Sequence, residues 1–191
     1  MKKLTYIFAL SALIPAFASA ATLSLSPSFK SVDPGETFTV DILLDTEGEA
    51  IDGADITYLK YDQAILQVEK VTPGSLMAMT LSNTASNGQI QFSQVINGGG
   101  VRYNGKGTLA TITFKALSGG KAEVKFDFIK GDTRDTNVAG NQTDLLAAVT
   151  NGSYSVSGAG FALDRTTIYV LLGLAILGVA IILYRSKFKQ S

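Results

Sequence analysis

An all-β sandwich of two packed sheets is the fold that residues 21–157 predict, and three observations predict it. Apolar and polar residues alternate in short runs, the period of a strand with one buried face. Glycine-rich turn signals separate those runs. A helical apolar period is absent from the whole stretch. Threonine, valine and aromatic residues fill the runs, as suits a half-buried pleated surface.

The elements follow in order. In Thr37–Leu44, Phe38, Val40, Ile42 and Leu44 share one face, with Thr39 and Asp41 on the other. Ile56–Tyr61 reads as a strand, and Leu66–Val71 as another that stops at Pro73-Gly74. Ile90 and Phe92 alternate with Gln89, Gln91 and Ser93. Ala110, Ile112, Phe114 and Ala116 oppose Leu109, Thr111, Thr113 and Lys115. Val124, Phe126 and Phe128 alternate with Lys125 and Asp127, and the fold closes near Tyr154-Ser155-Val156. Asp33-Pro34-Gly35, Asn87-Gly88, Asn104-Gly105, Ser118-Gly119-Gly120 and Asn151-Gly152 supply turns. The run Asn97-Gly98-Gly99-Gly100 lacks the Lys-Ser/Thr and helix of a phosphate loop, and reads as a hairpin tip.

The two ends carry different signals. Met1-Lys2-Lys3, an apolar stretch and Ala18-Ser19-Ala20 predict a secretory signal peptide over 1–20. Ile168–Tyr184 carries no charge; at 1.5 Å per residue it covers about 26 Å, the low end of a bilayer core. With Thr167 it predicts a transmembrane helix over 167–184, joined by a linker over 158–166. Arg185, Lys187 and Lys189 in the tail 185–191 place the C-terminus in the cytoplasm. The expected localisation is therefore the cell membrane, single-pass, with residues 21–157 outside. No LPxTG precedes the helix, so a permanent anchor is expected rather than a sortase signal.

Composition removes several kinds of chemistry. The sequence has no His and no Cys, which excludes the usual zinc sites, histidine acid–base schemes and Ser-His-Asp or Cys-His nucleophiles. Residues 21–158 hold ten Lys or Arg against fifteen Asp or Glu, a net charge of −5 that argues against nucleic acid. Six acids (Asp41, Asp45, Glu47, Glu49, Asp52 and Asp55) fall between 41 and 55 with no base among them. They read as a solvated loop rim or as a patch that steers a basic partner. Asp41, Asp52 and Asp55 are the carboxylates a glycosidase would need, but no cleft or tryptophan platform accompanies them. Asp132, Asp135, Asn137 and Asp144 are rich in oxygen, yet they miss the EF-hand pattern and enclose Arg134. They read as turn and cap residues, and no cofactor or metal is expected. Asn141-Gln142-Thr143 and Asn151-Gly152-Ser153 match the glycosylation sequon, the second with a structural role.

An ordered series of segments narrows the reading. Asp33-Pro34-Gly35-Glu36-Thr37-Phe38-Thr39-Val40 leads to Ile51-Asp52-Gly53-Ala54-Asp55-Ile56, then Tyr61-Asp62, Leu66–Val71 and Pro73-Gly74-Ser75-Leu76. Gly107–Lys115, Asp135-Thr136-Asn137-Val138 and Asn151-Gly152-Ser153-Tyr154 follow. Across about residues 22 to 156 this series resembles the cohesin domain family, the receptor modules of cellulosome scaffolds and related surface proteins. The resemblance implies a nine-stranded jelly roll akin to some carbohydrate-binding modules, no catalysis, and binding of a dockerin, a small calcium-loaded helical module. It places the partner-binding face on Asp55, Thr57, Gln91 and Ser93, with Asp52 at the rim. Gly53–Tyr61 is one residue longer than the usual cohesin strand, which predicts a bulge there.

The expected function is a membrane-anchored, cohesin-like module holding a dockerin-bearing protein, such as a polysaccharide-degrading enzyme, at the envelope. Two alternatives stand beside it. One is a carbohydrate-binding module for cell-wall or external polysaccharide, against which the absence of tryptophan weighs. The other is a self-associating structural or adhesive protein.

Overall fold

The computed structural model describes residues 20–98, 101–158 and 169–170. The expected signal peptide (apart from Ala20), the linker beyond Gly158, the expected membrane helix (apart from Tyr169 and Val170) and the basic tail lie outside the described residues. Among the described residues no helix is long and apolar enough to cross a membrane.

Residues 21–156 form two stacked sheets. One has the order β12 (Leu146–Thr150), β1 (Ala21–Ser26), β3 (Thr37–Asp45), β8 (Lys106–Ala116), β5 (Leu66–Pro73). The other runs β11 (Thr143–Asp144), β10 (Asn137–Gly140), β4 (Gly53–Lys60), β9 (Gly120–Phe126), β13 (Gly152–Val156), β2 (Phe29–Val32). On the far side of β4 this sheet continues through β7 (Gln89–Val95) to its edge, β6 (Met79–Ser86). The all-β sandwich is thus present. The described residues hold thirteen strands where the resemblance implies nine, the excess lying in short segments such as β2, β10 and β11.

The core sits between the sheets and is built by alternation. Phe38, Val40, Ile42 and Leu44 of β3 are buried, as are Ile112, Phe114 and Ala116 of β8 and Ile90 and Phe92 of β7. Burying each large aliphatic or aromatic side chain contributes about 1.5–3 kcal/mol. The Phe38 and Phe114 rings stack at 5.7 Å, Tyr61 meets Phe114 edge-on at 5.6 Å, and Tyr154 lies 5.3 Å from Phe38. The buried Tyr154 hydroxyl donates to the Pro27 carbonyl at 2.8 Å, and burial pushes its pKa up.

Among the described residues the register shifts at five points, and three of these bulges shape the core and the outward face. On β8, Ile42 pairs with Ala110 and Leu43 with Thr108, so Leu109 is extra and is buried rather than outward. On β4, Ile56 pairs with Phe92 and Leu59 with Ile90, so Thr57 and Tyr58 together face Gln91. This is the expected one-residue insertion, and past it Leu59 is buried and Lys60 exposed. On β6, Leu81 is extra between Thr80 and Ser82. Phe128, expected to continue its strand, lies past the end of β9 and packs against the core from a loop.

Two glycines are required by geometry. Asn87 (φ 53°) and Gly88 (φ 73°) form the two-residue turn between β6 and β7, matched to strand twist. At Gly74 a Cβ would overlap the Thr108 carbonyl, because the end of β5 lies directly on β8. The glycine run at 97–100 does not cap a hairpin. It lies on the connection between β7 and β8, which belong to different sheets, and Gly99 and Gly100 fall outside the described residues. Strand directions put the two ends of the sandwich, β1 and β13, at opposite poles. Thr22 pairs with Asp45 at the end of β3, whereas Val156 pairs with Gly120 at the start of β9.

Candidate partner-binding face

The outward face of β10, β4, β7 and β6 carries three cross-strand rows. Asn137, Asp55, Ser93 and Ser82 lie opposite one another as a polar row. Two residues along, Ala139, Gly53, Val95 and Met79 make an apolar row. On the other side, Thr57 and Tyr58 face Gln91, which pairs with Thr84. Rows on one face are spaced by two residues, about 6.7 Å. Between the polar and apolar rows lies an open depression of about 380 Å³, lined by Asp55, Ser93, Asn137, Gly53, Val95 and Leu81 among others. Gly53 keeps the floor low, since a Cβ there would come within 2.9 Å of the Val95 side chain. The bulge on β6 turns Leu81 out of the sheet, where it is 61% exposed, and Met79 is 43% exposed. An apolar wall and a hydrogen-bonding wall therefore share one shallow site.

The structure brings four of the five expected residues together. Asp55 and Ser93 are direct cross-strand partners in the depression, and Gln91 and Thr57 meet across the bulge one row away. Their states differ. Asp55 accepts a hydrogen bond from the Thr57 hydroxyl through Oδ2 at 3.2 Å and remains partly exposed. Ser93 lines the depression although it is 9% exposed. Gln91 Oε1 accepts from the Thr84 hydroxyl at 3.4 Å. The single Thr57 hydroxyl proton is shared between Asp55 and the Asp135 carbonyl, the latter at 2.9 Å, so Thr57 fixes the bulge to the loop before β10. Asn137 Nδ2 donates to the same carbonyl at 3.0 Å.

Asp52 stands at the rim, but its carboxylate is occupied. Oδ1 accepts from Arg102 Nε at 2.7 Å and Oδ2 from the Asn141 backbone N–H at 2.7 Å. Folding also supplies bases to the acidic stretch that has none in sequence. Lys106 lies 2.5 Å from Asp45 and 3.9 Å from Glu47, and Asp41 accepts from the Thr111 hydroxyl at 2.6 Å. The Lys106 hydrogen bond lowers the Asp45 pKa, and the neighbouring Asp45 carboxylate raises that of Glu47. The stretch is a paired rim more than a bare negative patch.

The oxygen-rich segment before and after β10 is spent on the backbone and on the Arg134 side chain. Asp132 accepts from Arg134 N, Nε and Nη2, Asp135 from the Ile129 N–H, and Asp144 Oδ1 from the Val138 and Leu146 N–H groups. Asn151 Oδ1 accepts from the Phe126 N–H at 2.9 Å, the structural role expected of that sequon. Among the described residues no three acids converge in a metal-binding group.

Sequence reasoning missed Leu81, Met79 and Val95. The signal that could have found β6 is the Asn87-Gly88 turn: a hairpin turn before Gln89–Val95 demands a strand of similar length ahead of it.

Comparison with known proteins agrees with this architecture. The cohesin domain family model matches residues 24–156. Among curated proteins no relative matches. The solution structure of CaCohA2 from Clostridium acetobutylicum is similar at 19% identity and a TM-score of 0.61, over 75% of this chain and 94% of that one. A type I cohesin–dockerin complex, Coh-OlpA-Doc918 from Clostridium thermocellum, matches at 14% identity and 0.59, over 72% and 99%. A non-cellulosomal cohesin from the hyperthermophilic archaeon Archaeoglobus fulgidus matches at 17% and 0.55, over 73% and 92%. At these identities the solved structures speak for the fold alone, while the family model spans most of the sandwich. The chain belongs to the cohesin domain family.

Proposed function

We propose that this protein is a dockerin receptor tethered to the cell envelope. It binds without catalysis and holds a dockerin-bearing protein, such as a polysaccharide-degrading enzyme, near the surface. The observation that carries this reading is the pair of adjacent rows on β10, β4, β7 and β6. The apolar row and Leu81 offer burial, and Asp55 offers a carboxylate that accepts from donors on a partner. Cohesin relatives are found in complexes with dockerins. The signal peptide, the uncharged run 168–184 and the basic tail support a single-pass anchor. β13 ends at the pole away from the Glu47–Asp52 rim, which supports a tether that leaves that rim and the neighbouring depression facing outward. Tethering raises the local concentration of a bound partner at the envelope.

The test is calorimetric titration of residues 21–158 with the dockerin modules encoded beside it in the source genome, with calcium and with a chelator. Expected is binding to one of them that chelation abolishes and that Asp55→Ala weakens by about tenfold or more. Retention on insoluble polysaccharide with no dockerin binding would overturn the receptor reading in favour of a glycan-binding module. Membrane fractionation of the full chain tests the anchor separately: release by carbonate washing would exclude a spanning helix.

A further inference from the structure

Edge strands expose unpaired backbone N–H and C=O groups, and proteins usually guard them with charge, proline or short length. Four edges of this sandwich are so guarded or too short. β5 carries Glu69, Lys70 and Pro73, β2 has four residues including Lys30, β11 has two including Asp144, and β12 is uncharged but only five residues long. β6 differs. It has eight residues, Met-Thr-Leu-Ser-Asn-Thr-Ala-Ser, with no charge and no proline; its backbone ladder runs on one side only, to β7, while the Asn83 side chain donates to the Val71 carbonyl of β5 at 3.0 Å. All of its residues except Ser82 are exposed. Its one guard is the bulge at Leu81, which lies near one end. Ser82–Ser86 runs on in regular register with Ser93–Gln89, and Thr84 is at the middle.

We infer that a second copy of this chain pairs along β6, antiparallel and two-fold about Thr84. The charge pattern admits this occupant, and the row of hydroxyls on Ser82, Thr84 and Ser86 favours it. A strand without charge meets its own copy without repulsion, and the neighbouring edge β5 carries one acid and one base, Glu69 and Lys70. Such a pairing puts Thr84 against Thr84 of the other copy and Ser82 against Ser86, cross-strand hydroxyl pairs that suit an antiparallel ladder. It is isologous and closes at two copies. The axis stands perpendicular to the sheet, so the two Asp55–Ser93 depressions lie on the same side of one continuous sheet. The dimer presents two partner sites on one surface and gains avidity toward any partner that is itself multivalent. The inference goes beyond dockerin binding and does not depend on it.

The sequence contains no cysteine, so one introduced thiol reports one contact. Directly opposed residues of an antiparallel pair have Cα atoms about 4.5–5.5 Å apart, within disulfide reach. Mild oxidation of full-length Thr84→Cys in membranes is expected to give a disulfide-linked dimer, and Thr39→Cys, also exposed but on β3, is expected to give at least about tenfold less. Equal cross-linking at both positions, or none at Thr84→Cys, overturns the inference. A charge swap gives an independent reading in the detergent-solubilised full chain by sedimentation. Thr84→Lys alone and Thr84→Glu alone are expected to be monomers, and their equimolar mixture a dimer. Lysine variants that remain dimeric, or a wild-type chain monomeric up to about 100 μM, would sink the inference. Neither readout involves a dockerin, so failure of the receptor reading would leave it standing.

Discussion

The β3–β8 ladder and the β4–β7–β6 ladder are built from the same kind of alternating sequence and serve opposite ends. β3 and β8 pair from Thr37–Lys115 to Asp45–Lys106 at the centre of the five-stranded sheet, and the bulge on β8 turns Leu109 into the core. In β4 and β6 the bulges fall on the other side. Thr57, Tyr58 and Leu81 are displaced toward solvent, beside a row with Asp55 at its middle. A bulge adds one residue without deciding where it points. A core that needs volume takes it inward; a face that needs a partner turns it out.

The largest expected effect breaks the first ladder. Phe114→Ala removes a ring that touches Phe38 and Tyr61, and it should destabilise the sandwich by about 3–5 kcal/mol in urea unfolding. A loss under about 1 kcal/mol would mean that the aromatic cluster is not where the stability resides. Next comes the bolt between the sheets. Gln94, 1% exposed, donates to the Gly74 carbonyl at 3.0 Å and the Thr80 hydroxyl at 3.3 Å. Gln94→Ala should cost about 1–3 kcal/mol by leaving that carbonyl unpaired. Leu81→Ala should invert the pattern: unfolding free energy within about 0.5 kcal/mol of wild type, but affinity for a bound dockerin lower by about tenfold. If Leu81→Ala instead destabilises the fold like a core residue, the outward reading of the β6 bulge fails.

The smallest effect is a pH dependence at the ion pairs. Lys106, Lys125 and Arg134 hold Asp45, Glu123 and Asp132 below the usual carboxylate range. Their folded pKa values are depressed. The stability they contribute is therefore present above the unfolded values of about 4 and is lost as pH falls through the folded ones. Glu47 is raised, so its contribution has the opposite sign and is lost as pH rises through its folded value. Unfolding midpoints should fall slightly on acidification below about pH 4, and Lys106→Met should flatten part of that slope. An unchanged slope would show that the Asp45 pair contributes nothing measurable.

Most of the fold was legible because alternation is a local property. The buried face of β3, Ile90 and Phe92 of β7, and Ala110, Ile112, Phe114 and Ala116 of β8 could be named from period two, whereas Leu109 could not; the insertion in β4 showed only against the cohesin resemblance. Of the candidate face, half was legible. Asp55, Ser93, Gln91 and Thr57 share the face that the family resemblance indicated, but Leu81, Met79 and Val95 did not stand out. β6 buries no apolar face, its Met79 and Leu81 being exposed, and its place beside β7 is a pairing that periodicity does not record.

By itself the sequence determined the class of fold, the turns, the chemistry that is missing and the segments expected to export and anchor the chain. These follow from residue type and spacing along the chain. Tertiary structure alone decided that Asp52 is held by Arg102 and Asn141, that Lys106 answers Asp45, and that an apolar row lies against Asp55. Those contacts join residues tens of positions apart. Charge neutralisation and surface patterning depend on distance in space, which only the pairing of strands fixes.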